Sequence, residues 1–304
     1  MRSENLPVAA LLAATFIWGS TFALVKAALA DTDPLSFLGL RFAVAFGSTA
    51  LAVMVIPRRF MFRRLSFGDV MMGGLTGATL YGGFFFQTQG LRFTTAANSA
   101  FITGLCVIMV PFLIWVSGKT PRRTHVAGAC LSLFGLYWLT GGGLALTGRG
   151  DLLTLLCALM FALHIICLGV FGRRVESFRL FAVQLFFAAL LAMLIGFGWG
   201  GPVRWSGNLI VALVVTGVLA TSVAFFFQTW AQRRMAPSRA SIWILTEPLF
   251  ALGFGLLLLG EIPPPIGLLG AAFMLLGVAV AERGGKIPLM TRLFGRAAGD
   301  FFKR

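Results

Sequence analysis

Glu247 is the residue whose chemistry most needs explaining, because it interrupts the apolar run 239–259 beside Pro248. If that run crosses a bilayer, a charge near its middle costs about 2.5–3.5 kcal/mol even on the lenient insertion scale. Such a carboxyl faces a wet cavity, is paired, or carries a proton. Glu247 is therefore a candidate to hold a substrate amine or a coupling proton. The competing reading is a buried ion pair with Arg41 or Lys26, or an acid that packs helices. Pro248 has no N–H, so the carbonyl of Ile244 loses its usual donor, a break tolerated where it lines a cavity. Arg41 offers a planar fork suited to a carboxylate, or a structural pair tying its helix to neighbours. Lys26 lies near a helix end, where it can snorkel to the interface. His164 titrates in the physiological range when unperturbed, so it is open to a proton-sensitive role or to a plain hydrogen bond.

Uncharged candidates surround these. Trp18, Tyr81, Phe101 and Trp243 are aromatics placed to wall a cavity, Thr21 aligns with His164 in the repeat below, and Asn98 enters a span at its mouth. With 31 Phe in the chain, most aromatics must be packing. Gln87 and Gln228 occupy matching positions and suit hydrogen bonds between helices. Cys106, Cys130, Cys157 and Cys167 all lie in apolar runs without metal spacing and read as small packing residues. No metal, cofactor or catalytic role is expected. Gly118-Lys119-Thr120 imitates the end of a phosphate loop, yet Leu113 stands at the first glycine position and no strand precedes it. No serine nucleophile elbow or HExxH pattern appears.

The elements that must position these residues are membrane spans. Hydrophobic residues make up 58% of 304 and charged residues 12%, against about 25% charged in a soluble domain. Mean hydropathy is +0.91. The formal charge of +15 would suggest nucleic acid on a soluble protein, but here the charges sit in short loops between apolar runs. A crossing needs about 20 apolar residues. Ten runs qualify: 8–29, 35–56, 68–90, 96–117, 126–146, 151–171, 178–199, 208–231, 239–259 and 265–281. With the N-terminus inside, inner loops and termini hold 20 of the 25 basic residues, and outer loops only Arg92, Arg149 and Arg204. That bias sets both termini in the cytoplasm. Ala28-Leu29-Ala30 mimics a signal-peptidase site, but its preceding run is longer than a signal core and carries Lys26, so the first span is read as retained. Residues 287–304 form a basic tail that suits an amphipathic helix on the inner leaflet or a frayed end.

The runs repeat. Phe84-Phe85-Phe86-Gln87-Thr88 recurs as Phe225-Phe226-Phe227-Gln228-Thr229 at an offset of 141, and Gly128…Gly135 aligns with Gly270…Gly277 at an offset of 142. Five crossings per unit is odd, so the copies should enter the bilayer from opposite sides. Residues 1–147 and 148–286 are then two inverted five-helix repeats, followed by the tail 287–304. Inverted repeats of this kind build secondary transporters with a midplane site.

The order and spacing of several short motifs then resemble the drug/metabolite transporter superfamily, in its EamA-type branch. They are Trp18-Gly19-Ser20-Thr21-Phe22, Leu40-Arg41-Phe42, Thr94-Thr95-Ala96-Ala97-Asn98-Ser99-Ala100, Thr246-Glu247-Pro248-Leu249-Phe250, Gly260-Glu261 and Gly270…Leu276-Gly277. The resemblance implies a secondary transporter, typically an exporter of amino acids or related metabolites, with a central cavity walled by spans 1, 3, 4, 6, 8 and 9. It sets spans 5 and 10 at the periphery, where they could pair two copies as a homodimer. The halves differ in chemistry: Cys106-Val107 stands where the second half has Glu247-Pro248, and Phe161-Ala162-Leu163-His164 where the first has Trp18-Gly19-Ser20-Thr21.

The expectation is an all-α, ten-span inner-membrane exporter of small amphipathic metabolites, amino acids foremost, working by alternating access. Its partners are a small-molecule substrate and the lipid bilayer. The alternatives are a drug or nucleotide-sugar exchanger of the same superfamily, or a non-transporting scaffold or intramembrane enzyme.

Overall fold

The structure, a computed structural model, describes residues 2–55, 65–90, 92–94, 96–142, 148–259 and 264–282. The expected tail helix at 287–304 lies outside them, as do the side chains of Lys26 and Asn98. The described chain is helical: α1 (Arg2–Ser20), α2 (Phe22–Ala28), α3 (Pro34–Val55), α4 (Phe67–Gly90), α5 (Ala96–Gly104), α6 (Cys106–Val116), α7 (Arg123–Leu139), α8 (Arg149–Phe171) and α9 (Ser177–Trp199). Then come α10 (Gly207–Val214), a π-helical segment (Val215–Val223), α11 (Ala224–Gln232), α12 (Pro237–Ile244), α13 (Glu247–Leu259) and α14 (Pro265–Glu282). Seven stretches are long and apolar enough to cross a membrane, and Asn5–Ser20 is a shorter apolar helix.

Local signals explain the ends. The Ser206 hydroxyl accepts the Leu209 N–H at 3.1 Å and opens α10, while the Glu176 carboxylate accepts the Arg179 N–H at 3.1 Å and opens α9, each taking an orphan donor of a first turn. Gly118, at φ +84°, closes α6: the Lys119 N–H reaches back to the Ile114 carbonyl at 3.2 Å and the Gly118 N–H to that of Trp115 at 2.9 Å. This is a glycine C-cap of the Schellman type, so Gly118-Lys119-Thr120 is the stop signal of a helix.

Four of the expected spans are interrupted. The first breaks at Thr21, where the Ser20 and Thr21 hydroxyls bond the carbonyls of Ile17 and Trp18 at 2.8 Å. Gly19 there presses so close to α13 that a Cβ would stand 2.8 Å from Phe250 Cβ and 2.9 Å from the Ala251 nitrogen. The fourth and ninth break at equivalent positions. The Leu105 N–H bonds the Ile102 carbonyl and the Thr246 N–H that of Trp243, both at 3.1 Å; the Ile108 N–H bonds Leu105 and the Leu249 N–H bonds Thr246, both at 3.0 Å. Each pair is separated by the repeat offset. Pro248 supplies the break in the second half; Gly104, jammed against Leu136, supplies it in the first. The eighth span widens into the π-helical segment.

The packing pairs map onto themselves when the halves are exchanged. α4 packs on α8 as α11 packs on α1; α4 packs on α9 as the π-helical segment packs on α3; α6 packs on α8 as α13 packs on α1. The two remaining main pairs, α3 with α9 and α7 with α14, each join equivalents, and both run antiparallel. A Cβ on Gly39 of α3 would stand 3.3 Å from the Gly196 Cα of α9, while Phe46 reaches Phe186 at a ring separation of 5.8 Å. In α7 and α14, Gly128 faces Gly277 and Gly135 faces Gly270. Gly73 and Gly77 of α4 likewise receive Val183 and Gln184 of α9. Small residues at these crossings let the helices approach closely.

One end is clasped across the halves. Asp31 accepts the Arg204 guanidinium, with Nε at 2.8 Å, and the Ser206 hydroxyl at 2.5 Å. Thr32 and Val203 form an antiparallel bridge, and Ser36 Oγ donates to the Gly201 carbonyl at 2.9 Å. The opposite end carries Arg179 on Asp69 at 3.2 Å and Arg239 on Glu282 at 2.5 Å.

Two outcomes follow from this packing. A Cβ on Gly270 would sit 2.5 Å from both the Gly135 carbonyl and the Leu139 nitrogen. G270A should therefore lower thermal stability by about 1–3 kcal/mol through overpacking, whereas G47A, with nothing within 4 Å, should be near neutral in the same melting assay. The Ser206 hydroxyl and the Arg204 guanidinium hold Asp31 below the usual carboxylate range. The clasp is then complete above the roughly 3.9 of a free aspartate and is lost only as pH falls below the lowered value. Amide protection factors at Arg204 should stay constant from neutral pH to about pH 5 and be lost only once pH falls below the ordinary aspartate range; D31N should lack the protection at every pH.

Candidate functional site

The centre of the molecule is built from the repeated Phe-Phe-Phe-Gln-Thr. Its first members, Phe84 on α4 and Phe225 on α11, meet edge-on with ring centroids 5.9 Å apart. Each also takes an aromatic at equivalent sites: Phe84 meets Phe161 of α8 at 5.6 Å, and Phe225 meets Trp18 of α1 at 4.9 Å. Edge-to-face pairs of this kind add about 0.5–1.5 kcal/mol beyond area burial.

Polar groups approach this cluster differently from the two sides. On Phe84, the Arg41 guanidinium lies over the ring at 4.7 Å, and its Nε donates to the Thr221 hydroxyl at 2.9 Å. A desolvated cation–π contact is worth about 2 kcal/mol and a hydrogen bond from a charged donor about 1.5–3 kcal/mol. Together they offset an insertion cost of about 2.5–3.5 kcal/mol. Arg41 is thus held without a carboxylate. On Phe225, the neighbour is His164, at 5.8 Å between ring centroids.

The π-helical segment makes the Arg41 contact possible. Gly217 lets it approach α3 so closely that a Cβ would meet Val44 Cγ1 at 2.7 Å and the Arg41 carbonyl at 3.0 Å. Thr221 and Ser222 bond the carbonyls five residues back, Thr216 and Gly217, at 2.8 and 3.3 Å. Ser222 also donates to the Ala45 carbonyl at 2.8 Å. Trp18 Nε1 donates to the Ala220 carbonyl at 2.7 Å, so one widened turn anchors both Arg41 and Trp18. Such turns concentrate at functional sites.

Glu247 opens α13 at the break of its span, half-buried, with its backbone carbonyl beside Gly19. Its charge acts on Arg41 and on Cys106, its equivalent in the first half. Among the described residues it forms no hydrogen bond and no ion pair within 4 Å. Arg41 is held by the Phe84 ring and the Thr221 hydroxyl instead.

The other described candidates each have partners of their own. Thr21 is buried at the break after α1 and bonds the Trp18 carbonyl. Tyr81 is buried against Phe42 and Phe85, at 6.4 and 6.0 Å. Phe101 packs on Tyr137 of α7 at 5.9 Å. His164, 1% exposed, bonds Gln184 through Nε2 at 3.1 Å, and Gln184 in turn donates to Thr229 at 2.8 Å. Trp243 Nε1 donates to Glu282 at 2.6 Å, near the end of α14. Asn98 lies on α5 with its side chain outside the described residues. Of the paired glutamines, Gln87 reaches Thr103 at 3.4 Å, while Gln228 Oε1 is buried without a donor. Sequence reasoning missed Phe42, Phe84, Phe225, Thr221 and Gln184. The repeat itself marks Phe84 and Phe225, and the hydroxyls Thr216, Thr221 and Ser222 mark a segment able to depart from regular helix.

Comparison with known proteins agrees with this architecture. A sequence model described as the EamA-like transporter family matches residues 5–141 and again 148–282. An uncharacterized transporter of Archaeoglobus fulgidus is 31% identical over 268 residues, covering 88% of this chain and 82% of that protein. The S-adenosylmethionine/S-adenosylhomocysteine transporter of Chlamydia trachomatis is 26% identical over 280 residues, covering 86% and 84%. A crystal structure with 22% identity superposes with a TM-score of 0.77 over 91% of this chain and 98% of its own. The protein is a multi-pass membrane transporter of the drug/metabolite type and belongs to the EamA-like transporter family.

Proposed function

We propose that this protein is a secondary active transporter that exports small amphipathic metabolites, foremost amino acids, from the cytoplasm by alternating access. The observation that carries the reading is the packing map that survives exchange of the halves, with equivalents α3 and α9, and α7 and α14, running antiparallel. That pattern supports two inverted five-helix repeats, which can rock against each other around a shared centre. Ten crossings follow when the interrupted α1–α2 counts as one span and α4 (24 residues) and α7 (17 residues) join the seven long apolar stretches. The repeats run from 1 to 147 and from 148 to 286, with 287–304 as a cytoplasmic tail. The 20-to-3 distribution of basic residues supports an inner-membrane protein with both termini cytoplasmic.

At the centre, Glu247 receives the solute amine or a coupling proton, and Trp18, Tyr81, Phe84 and Phe225 receive its apolar body. Thr21 and His164 border the same space. Asn98, Phe101 and Trp243 stand along the path. The relative that moves S-adenosylmethionine favours a second reading, in which the solute is a larger amino-acid derivative bearing a flat base. A nucleotide sugar is less suited to a centre whose one described guanidinium, Arg41, is already engaged. The glycine faces of α7 and α14 are spent on each other, so a homodimer through this edge would use exposed Phe134, Leu268, Leu269 and Leu275.

Counterflow of labelled amino acids into proteoliposomes containing only this chain tests the reading; no exchange with any amino acid or amino-acid derivative would overturn it. E247Q should abolish the pH dependence of accumulation while downhill exchange stays within about threefold of the parent protein. Unchanged pH-dependent accumulation in that variant removes Glu247 from the coupling role.

A further inference from the structure

The charge pattern leaves three basic residues on the outer side, Arg92, Arg149 and Arg204, and each works against the bias that orients the protein. Arg204 is accounted for by Asp31. The other two meet at one place. A recess of about 470 Å3 is lined by Phe85 and Gln89 of α4, Arg92 and Phe93 just beyond it, and Arg149 and Leu153 of α8. Both guanidiniums face the same ring, Arg92 at 6.0 Å and Arg149 at 5.3 Å from the Phe93 centroid.

Two like charges gathered on one aromatic repel each other. Neither forms an ion pair among the described residues. Arg92 reaches Gln89 Oε1 at 3.4 Å, a neutral acceptor. The nearby carboxylate of Asp151 is engaged by the Thr94 hydroxyl at 2.6 Å and the Gly148 N–H at 3.2 Å. What remains is an apolar floor of Phe85 and Leu153 beneath a cationic rim. The recess lies one turn outward from Phe84, and Phe85 also touches Tyr81 at 6.0 Å, so it adjoins the central cluster directly.

We propose that this recess binds the carboxylate end of the exported amphipathic solute, serving as its last station before the outer medium. The assignment rests on the transporter reading above and deepens it by naming the charge class of the solute. Two guanidinium forks can take a carboxylate between them, while Phe85 and Leu153 take the attached apolar group. Because both arginines are exposed, water screens the attraction. Binding is therefore weak, which suits a site from which solute must leave.

The test uses the full chain in nanodiscs of purely zwitterionic lipid, with N-acetylphenylalanine and N-acetylphenylalaninamide as probes matched in shape and differing in charge. Titration calorimetry should find the acid bound about tenfold more tightly than the amide, a difference of about 1.4 kcal/mol. The double variant R92Q R149Q should bring the ratio to about one with an unchanged melting temperature, R92K R149K should keep part of it, and R204Q should keep all of it. A ratio near one in the parent protein, or one that survives in R92Q R149Q, overturns the proposal. So does a dependence on these arginines that appears only when phosphatidylglycerol is added, because the recess would then hold a lipid headgroup. Selective acid binding without counterflow of any solute would uphold the site and overturn the transport reading; counterflow that ignores the acid group would do the reverse.

Discussion

A backbone carbonyl without a donor is expensive in hydrocarbon, and that constraint organises this molecule. Uninterrupted helices such as α3 and α9 can face lipid anywhere along their length. The interrupted spans cannot. The break at Thr21, the paired breaks at Leu105 and Thr246, and the widened turn of Val215–Val223 must be turned inward and served by neighbours. The chain meets this with short-range hydroxyls, from Ser20, Thr21, Thr221 and Ser222, and with Trp18 Nε1 across the bundle. The irregular backbone is thereby collected around one point, and the charged and aromatic groups that require shelter are collected with it.

Around that point the two halves are alike in frame and unlike in chemistry. Phe84 and Phe225 meet across the middle, yet one carries a guanidinium on its face and the other an imidazole. The imidazole is tied to Gln184 and thence to Thr229, a closed chain joining α8, α9 and α11. The guanidinium is tied to a hydroxyl and a ring. Neither consumes the carboxyl of Glu247, which lies within reach of the Arg41 charge but outside ion-pair distance. Glu247 is thus an acid with no hydrogen bond and no ion pair among the described residues.

Much of the frame was legible in the sequence, because hydropathy and loop charge are one-dimensional signals. The runs 178–199 and 265–281 reappear as α9 (Ser177–Trp199) and α14 (Pro265–Glu282), and the repeated glycines Gly128, Gly135, Gly270 and Gly277 meet where α7 crosses α14. Pro248 announced the break beside Glu247. The matching break at Leu105 was silent, since it arises from the confinement of Gly104 by Leu136, a tertiary effect. The π-helical turn was silent too: hydropathy does not register which carbonyl an N–H selects. Side-chain partners were the least legible part. The Tyr137 ring against Phe101 is not readable from the sequence, and the histidine's partner, twenty residues away on the next helix, follows only from how α8 and α9 cross.

The coincident kinks of α5–α6 and α12–α13 have an evolutionary consequence. The same bend is produced by a glycine in one copy and a proline in the other, so the mechanics do not depend on which residue occupies the seat just after it. That seat holds Cys106 in the older plan's first copy and Glu247 in its second. A chain built this way can exchange the occupant of either seat without losing the bend beside it.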